Sequence, residues 1–304
     1  MIPTPQEAIW VPGPWEHQDV SANGTRFHTV SMGEGPLVLL LHGFPMYWWT
    51  WRRALPALAA NGYRAVAMDL RGYGGSDHTP HGYDPVTLAA DAAGVVRSLG
   101  AQNAVIVGHG WGGLIAWSAA VMRPDAVRAI VPVSMPHPNL LRRGITSDAQ
   151  QRKLSKYVIG FQWPISPERG LVKHDAQAVA DLLQRWSGTP HWPDDETRDM
   201  FRAAFQFGST AHCALEYHRW AMRSIPRPDG RRFAKRMEFP IKQSVLQING
   251  QADNSILPRI SDGSEHFVRG PYERIDLPGV GHFPHEESPD RFTEVLMRWL
   301  GALD

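Results

Sequence analysis

The chain has 304 residues, of which 43% are hydrophobic and 20% are charged, so it can bury a sizeable core and is not disordered. Its formal net charge is +1, with acidic and basic residues interspersed, which argues against a nucleic-acid-binding face and a polybasic membrane surface. The single cysteine, Cys213, excludes an intramolecular disulfide and a cysteine zinc site. We expect a cytoplasmic protein, since residues 1–15 lack the regions of a signal peptide and no apolar run could span a membrane.

The predicted elements begin with a β-hairpin and continue as alternating strands and helices. The hairpin has its strands around residues 15–20 and 27–31. Short apolar runs then predict buried strands at 37–41, 65–68, 104–107 and 129–133, separated by helices at 49–60, 86–99 and 111–122. This alternation predicts an α/β fold with a mostly parallel sheet and helices on both of its faces.

The region 138–238 breaks this pattern. It has no clean strand, and its helical stretches are interrupted by prolines. We predict a helical lid at 138–238, inserted between a first core part at 1–137 and a second at 239–304. The second part adds strands at 245–248 and 272–277 and a helix at 289–300.

The glycine-rich run 108–113, Gly-His-Gly-Trp-Gly-Gly, lies between a predicted strand and a predicted helix. It matches a dinucleotide-binding fingerprint, but that site needs an acidic residue after the next strand, which here ends at Val133-Ser134. The run also fits a sharp strand-to-helix turn that carries a nucleophile, with small residues two places before and after the centre. We prefer this second interpretation, in which Gly110 is the centre, and we predict no cofactor and no metal.

Two further polar residues follow the last predicted strands. Asp253 comes after the strand at 245–248, and His282 after the strand at 272–277. Since the carboxyl ends of parallel strands share one edge of a sheet, we expect both residues beside the turn at Gly110.

Together these motifs resemble the α/β-hydrolase superfamily over nearly the whole chain, and most closely its epoxide hydrolases. The family's His-Gly-Phe-Pro loop is present at 42–45, and the run 69–77, Asp-Leu-Arg-Gly-Tyr-Gly-Gly-Ser-Asp, is also typical. The family's turn usually reads Gly-His-Asp-Trp-Gly-Gly. This sequence departs from that pattern only at Gly110, where the nucleophilic aspartate would stand.

The resemblance implies a role for each of these positions. In the family a carboxylate at the position of Gly110 opens the epoxide to an alkyl ester, which a histidine-activated water then cleaves. The resemblance assigns His282 as that base and Asp253 as the group that orients it. It also assigns the backbone N–H groups of Phe44 and Trp111 as donors to the oxyanion.

The resemblance further implies two lid tyrosines that bind the epoxide oxygen. Tyr157 precedes a Phe-Gln-Trp-Pro segment, and a segment similar to Leu-x-x-Tyr-Arg at 215–220 points to Tyr217. Packing within the lid is the alternative for each tyrosine. We expect a substrate pocket lined by four residues, with core packing as the alternative for its aromatic members: His42, Pro45, Trp48 and Trp163.

Three explanations of Gly110 remain open from the sequence. It is an engineered substitution, a natural loss of the nucleophile in a ligand-binding relative, or part of an enzyme that uses His282 and Asp253 directly as a base. We therefore expect an epoxide hydrolase-type protein for a small lipophilic epoxide or diol, without nucleic-acid or membrane partners. The sequence leaves a homodimer open.

Overall fold

The computed structural model describes residues 2–303 and is built on an eight-stranded sheet. The strands are β1 Glu16–Ala22, β2 Thr25–Met32, β3 Leu37–Leu41, β4 Arg64–Met68, β5 Ala104–His109, β6 Val127–Val133, β7 Ser244–Gly250 and β8 Tyr272–Leu277. Their order across the sheet is β1-β2-β4-β3-β5-β6-β7-β8. β2 is antiparallel to both of its neighbours and every other pair is parallel, which confirms the predicted mostly parallel sheet.

The central strands are almost entirely apolar, as expected where helices cover both faces of the sheet. Every residue of β3 and β5 is buried. The helices outside region 138–238 are α1 Pro5–Ile9, α2 Ala54–Ala60, α3 Pro85–Ser98, α4 Trp111–Met122, α12 Pro284–Glu287 and α13 Pro289–Gly301.

The helix predicted at 49–60 is in fact two elements. A 3₁₀ helix covers Trp48–Trp51, and α2 begins only at Ala54. Pro56 explains the break, since a proline is tolerated in the first turn of a helix but not in its interior.

The region between β6 and β7 is helical, and no strand of the sheet comes from it. Its helices are α5 Pro138–Ser147, α6 Ala149–Leu154, α7 Tyr157–Gly160, α8 Ser166–Trp186, α9 Asp195–Phe205, α10 Thr210–Arg223 and α11 Pro228–Arg236. The backbone of α8 leaves the helical conformation at Lys173–Ala176. We call region 138–238 the helical insertion. Among the described residues, no helix has the length and apolar character that crossing a membrane requires.

A row of three polar side chains joins the start of the chain to the sheet. His17 Nδ1 lies 2.9 Å from His28 Nε2, and His28 Nδ1 lies 2.8 Å from Asp69 Oδ2. At the other end of the row, His17 Nε2 lies 3.0 Å from the Val11 carbonyl oxygen. The row thus ties the segment before β1 to the loop after β4.

Candidate active site

A sharp turn at Gly110 connects β5 to α4. Gly110 has φ +52° and ψ −116°, and its N–H donates to the Val133 carbonyl at 3.0 Å. A positive φ of this kind is strained for a residue with a side chain. Glycine therefore relieves strain that an aspartate would have to carry at this position.

Close backbone packing requires the glycines that flank the turn, whereas Gly110 has room for a side chain. A Cβ built on Gly108 would lie 2.1 Å from the Gly112 carbonyl oxygen. A Cβ built on Gly110 would lie 3.6 Å from the Gly43 Cα and 3.9 Å from His282 Nε2. The space beside the turn thus accepts a larger residue at position 110.

This difference predicts unequal costs for two alanine substitutions. Gly110→Ala should lower the free energy of unfolding by about 1–3 kcal/mol through backbone strain alone. Gly108→Ala should cost more than about 4 kcal/mol or prevent folding, because the new Cβ meets a backbone atom. Urea denaturation measures both costs. Gly160→Ala is the control, since its Cβ would meet nothing within 4 Å, and equal costs for Gly108 and Gly110 would contradict this account of the turn.

His282 and Asp253 form a buried hydrogen-bonded pair beside Gly110. His282 Nδ1 donates to Asp253 Oδ2 at 2.8 Å. The other carboxylate oxygen accepts from the N–H groups of Ser255, at 2.7 Å, and Ile256, at 2.9 Å. With its proton held on Nδ1, His282 has a free lone pair on Nε2. This atom lies 3.9 Å from the Cβ position of residue 110. This is the arrangement of a base with an orienting carboxylate.

Two backbone N–H groups lie at the same edge. Trp111 is the first residue of α4, where N–H groups have no acceptor within the helix. Phe44 follows Gly43, and a Cβ on Gly43 would lie 3.3 Å from the Gly110 Cα, so this loop lies directly against the turn. Within residues 2–303, neither the Phe44 nor the Trp111 N–H donates to a protein acceptor. Their role as oxyanion donors stays a prediction.

His42 is a structural residue of this loop, contrary to its expected place in the pocket lining. Its Nδ1 donates to the Gly43 carbonyl at 3.0 Å, and its Nε2 accepts from the Leu70 N–H at 3.0 Å. Burial lowers the pKa of His42 to about 4, so the ring is neutral. Because both ring nitrogens are committed, His42 has none left for a ligand. Pro45 is buried after a cis peptide bond with Phe44, and its contact with a ligand stays a prediction.

Tyr157 lies near the His282–Asp253 pair. Burial raises the pKa of its phenol above the usual value. Its ring centroid is 5.3 Å from that of Trp186 and 6.1 Å from that of His218. Tyr157 therefore remains a protonated donor at neutral pH, close to the proposed base.

Tyr217 does not take the expected position. Its hydroxyl group donates to the Arg71 carbonyl at 2.7 Å, and the side chain is completely buried. Its ring packs against Tyr73, Tyr83 and Trp111. The hydroxyl thus fastens α10 to the loop after β4 and has no proton left for a ligand, so the assignment of Tyr217 as an oxygen-binding donor is wrong.

His218, the residue after Tyr217, lies beside Phe44 in the position expected for Tyr217, and it was not among the predicted site residues. Its ring centroid is 4.9 Å from that of Phe44, 5.3 Å from that of Trp111 and 5.3 Å from that of Phe161. The signal was present, because in the pattern Leu-x-x-Tyr-Arg the tyrosine directly precedes the arginine. Here Arg219 is preceded by His218.

The hydrogen bonds of His218 leave it without a donor for a ligand. Its Nδ1 donates to the Ala214 carbonyl at 3.0 Å, and its Nε2 accepts from Trp111 Nε1 at 3.2 Å. Burial lowers the pKa of His218 to about 4, so the ring stays neutral near pH 7. A tyrosine at this position would offer an O–H group, and the histidine does not.

Two expected pocket aromatics lie elsewhere. Trp48 is fully buried and donates its indole N–H to the Ile9 carbonyl at 2.8 Å, because the 3₁₀ helix turns it toward the start of the chain. Trp163 is 69% exposed on the surface of the helical insertion. Neither residue lines the space beside Gly110.

Aromatic residues that the sequence analysis did not select surround Phe44. The ring centroids of Phe161, Trp186 and Phe205 lie 5.9, 6.1 and 5.8 Å from that of Phe44. The Trp186 carbonyl also accepts from the His282 N–H at 2.9 Å. These residues come from α8, α9 and the turn before α8, and nothing in the sequence marks the point where these elements meet the His282 loop.

Among residues 2–303, no group of three or more histidine, cysteine, aspartate or glutamate side chains is placed to hold a metal ion. The polar groups around Gly110 are the His282 imidazole, the Asp253 carboxylate, the backbone N–H groups of Phe44 and Trp111, and the Tyr157 phenol.

The chain is similar to known proteins over most of its length. Residues 38–295 match the family model described as "Alpha/beta hydrolase family". An epoxide hydrolase of Caballeronia sordidicola is 30% identical, over 97% of this chain and 96% of that protein. The AB hydrolase superfamily protein YfhM of Bacillus subtilis is 36% identical, over 93% of this chain and 97% of that protein.

Solved structures show the same similarity. An epoxide hydrolase from an endophytic Streptomyces superposes with a TM-score of 0.84 at 30% identity, over 96% of this chain and 97% of that chain. Sequence and fold thus match over nearly the full length, and the chain belongs to the epoxide hydrolase family of the α/β-hydrolase superfamily.

Proposed function

We propose that this protein binds a small lipophilic epoxide, or the corresponding diol, in an epoxide hydrolase-type site that forms no alkyl-enzyme ester. One observation carries the proposal: the free Nε2 of the oriented His282 lies 3.9 Å from the Cβ position of residue 110. The base and its carboxylate are retained, whereas the group that would attack the epoxide is absent. Without a carboxylate at Gly110 the ester cannot form.

The retained groups have separate tasks in this proposal. Asp253 holds the proton of His282 on Nδ1 and stabilises the ring when it becomes charged. The N–H groups of Phe44 and Trp111 would bind an oxygen that gains negative charge. Tyr157 would donate a hydrogen bond to the epoxide oxygen.

The site departs from the family pattern at two positions rather than one. Gly110 replaces the nucleophile, and His218 replaces a phenol with a neutral ring that donates elsewhere. A single substitution at position 110 would leave the second phenol in place. The two departures together favour divergence of the site over one isolated change at Gly110.

A second candidate function is base catalysis by His282 without a covalent intermediate. It is favoured because Nε2 of His282 has no protein partner among the described residues and borders the space that an aspartate would fill. A water there would give a proton to Nε2 while its oxygen bonds to an epoxide carbon. The ring C–O bond would break, and the epoxide oxygen would take the Tyr157 proton.

A panel of aryl and alkyl epoxides tests both candidates. We expect binding of an epoxide or diol in calorimetry and a turnover number well below about 1 per second, a rate that ordinary enzymes reach. If His282 acts as a base, diol formed in ¹⁸O-labelled water under single-turnover conditions should carry the label from the first turnover. His282→Gln should then abolish diol formation. Turnover at or above that rate would show that another group serves as nucleophile, and no binding at all would refute the proposed ligand class.

A further inference from the structure

The helical insertion carries an exposed apolar patch at the turn between α7 and α8. The patch consists of Ile159, Trp163 and Ile165, whose side chains are 54%, 69% and 60% exposed. The N–H of Trp163 donates to the Gly160 carbonyl, which holds the three residues in one compact turn. Single exposed apolar residues are ordinary, but three large ones within seven residues are a local concentration of the kind that marks an interaction site.

The backbone of one patch residue, Ile165, has an unfavourable conformation. Ile165 has φ +64°, a conformation that is an outlier for a β-branched residue. Its exposed side chain gains little packing within the chain in return. Backbone strain at Ile165 that no packing within the chain offsets is consistent with a partner that covers its side chain.

The opposite side of the same turn belongs to the candidate active site. Tyr157 and Phe161 both contact His218 from there, with ring centroids 6.1 and 5.3 Å away. The patch is therefore the outer surface of the wall whose inner surface borders the site.

Cationic residues are concentrated in the segment that carries the patch. Residues 152–173 contain five lysines and arginines but only one acidic residue, Glu168. Its carboxylate is held by Arg219 at 2.8 Å. The side chains of Lys156 and Arg169 are exposed, and Arg223 is held beside the patch by the Gln162 carbonyl at 3.1 Å. The net charge of the whole chain, +1, conceals this local excess of positive charge.

We propose that the patch docks on the surface of an anionic lipid bilayer. Ile159, Trp163 and Ile165 would enter the interfacial region, where tryptophan and aliphatic side chains are favoured beside cations that contact lipid headgroups. A second copy of the chain fits less well, because a two-fold interface places the same patch on both sides and would bring the two sets of cations together. Docking would place the active-site wall at the bilayer, where lipophilic ligands concentrate.

Vesicle flotation tests this proposal with the full chain. We expect binding to phosphatidylcholine vesicles that contain about one third phosphatidylserine, and little binding to phosphatidylcholine alone. Trp163→Ser combined with Ile165→Ser should abolish binding. Lys156→Glu combined with Arg169→Glu should weaken it at least roughly 25-fold, since each cation near such a surface contributes roughly fivefold.

Val86→Ser is the matched control, because Val86 is 46% exposed on α3 and lies outside the patch. It should bind vesicles like the unmodified chain, and circular dichroism should show that all variants fold. The proposal is wrong if the chain ignores anionic vesicles or if the Trp163/Ile165 variant binds them equally well. It is also wrong if sedimentation shows a dimer that the same variant dissociates, since the patch would then be a self-interface.

Discussion

Replacing Gly110 with aspartate is expected to give this chain epoxide hydrolysis through an alkyl-enzyme ester. The new Cβ would have ordinary van der Waals space, with Gly43 Cα at 3.6 Å and His282 Nε2 at 3.9 Å. One carboxylate oxygen would bond to an epoxide carbon as the ring C–O bond breaks, and the ring oxygen would take a proton from Tyr157. His282 would then accept a proton from the water that cleaves the ester.

The expected gain is large. Removing a covalent nucleophile from a well-studied hydrolase lowers kcat by roughly 10⁶, so we expect a gain of at least about 10³-fold in diol formation. The same substitution should lower the free energy of unfolding by about 1–3 kcal/mol, because the aspartate must adopt the positive φ of Gly110. Activity and stability should therefore change in opposite directions.

Three measurements check this result. Chromatography of diol products gives the activity, and urea denaturation gives the stability. Mass spectrometry of Gly110→Asp combined with His282→Gln should detect a trapped ester at position 110. Gly110→Asn is the matched control, since it bears similar backbone strain without a carboxylate and should form no ester. If Gly110→Asp folds and binds epoxides but forms neither ester nor diol, the site does not support the covalent route.

Adding His218→Tyr to Gly110→Asp is expected to accelerate ring opening by a further factor of about 10², the lower end of what a general acid contributes, because Tyr157 already supplies one donor. In the unmodified chain His218 is neutral, and its one N–H is bonded to the Ala214 carbonyl. A phenol at this position would supply a second proton donor to the epoxide oxygen beside Tyr157. Stopped-flow or quenched measurements of ester formation give the rate of this step alone.

His218→Phe in the same Gly110→Asp background is the control, since it supplies a ring without a hydroxyl group and should give no acceleration. Tyr217→Phe should leave ring opening unchanged but cost about 1–3 kcal/mol of stability, because the buried Arg71 carbonyl loses its donor. If His218→Tyr brings no gain while Tyr217→Phe slows ring opening, our correction of the second donor position is wrong.

The sequence predicted those parts of the site that follow from strand order. Asp253 and His282 each come directly after an apolar strand, and parallel strands bring such loops to one edge of the sheet. The flanking glycines of the turn were equally predictable, since only glycine tolerates the 2.1 Å approach that Gly108 requires.

Side-chain direction on helices was not predictable to the nearest residue. Tyr217 and His218 are neighbours in α10, but successive residues on a helix point about 100° apart because 3.6 residues make one turn. One of the two therefore meets Arg71 and the other meets Phe44. A one-residue shift in matching a loose pattern was enough to select the wrong side chain.

The prediction that Trp48 and Trp163 line the pocket was wrong for a different reason. Trp48 and Trp163 lie beside motif residues in the sequence, and this proximity suggested a shared pocket. The 3₁₀ helix directs Trp48 into the core, and the turn before α8 leaves Trp163 in solvent. Trp186, by contrast, comes from the far end of a long helix, and only the tertiary fold brings it within 5.6 Å of the His282 ring.

The row of His17, His28 and Asp69 has one proton fewer than its contacts need when both rings are neutral. Both ends of the row, the Val11 carbonyl and the Asp69 carboxylate, are acceptors, and three contacts join them through two imidazole rings. Three hydrogen bonds need three protons, whereas two neutral rings provide only two. The row is complete only when it holds one additional proton, and burial lowers the pKa of His17, which shifts that uptake toward acidic pH. The attachment of the segment before β1 would thus gain a hydrogen bond when the row takes up a proton.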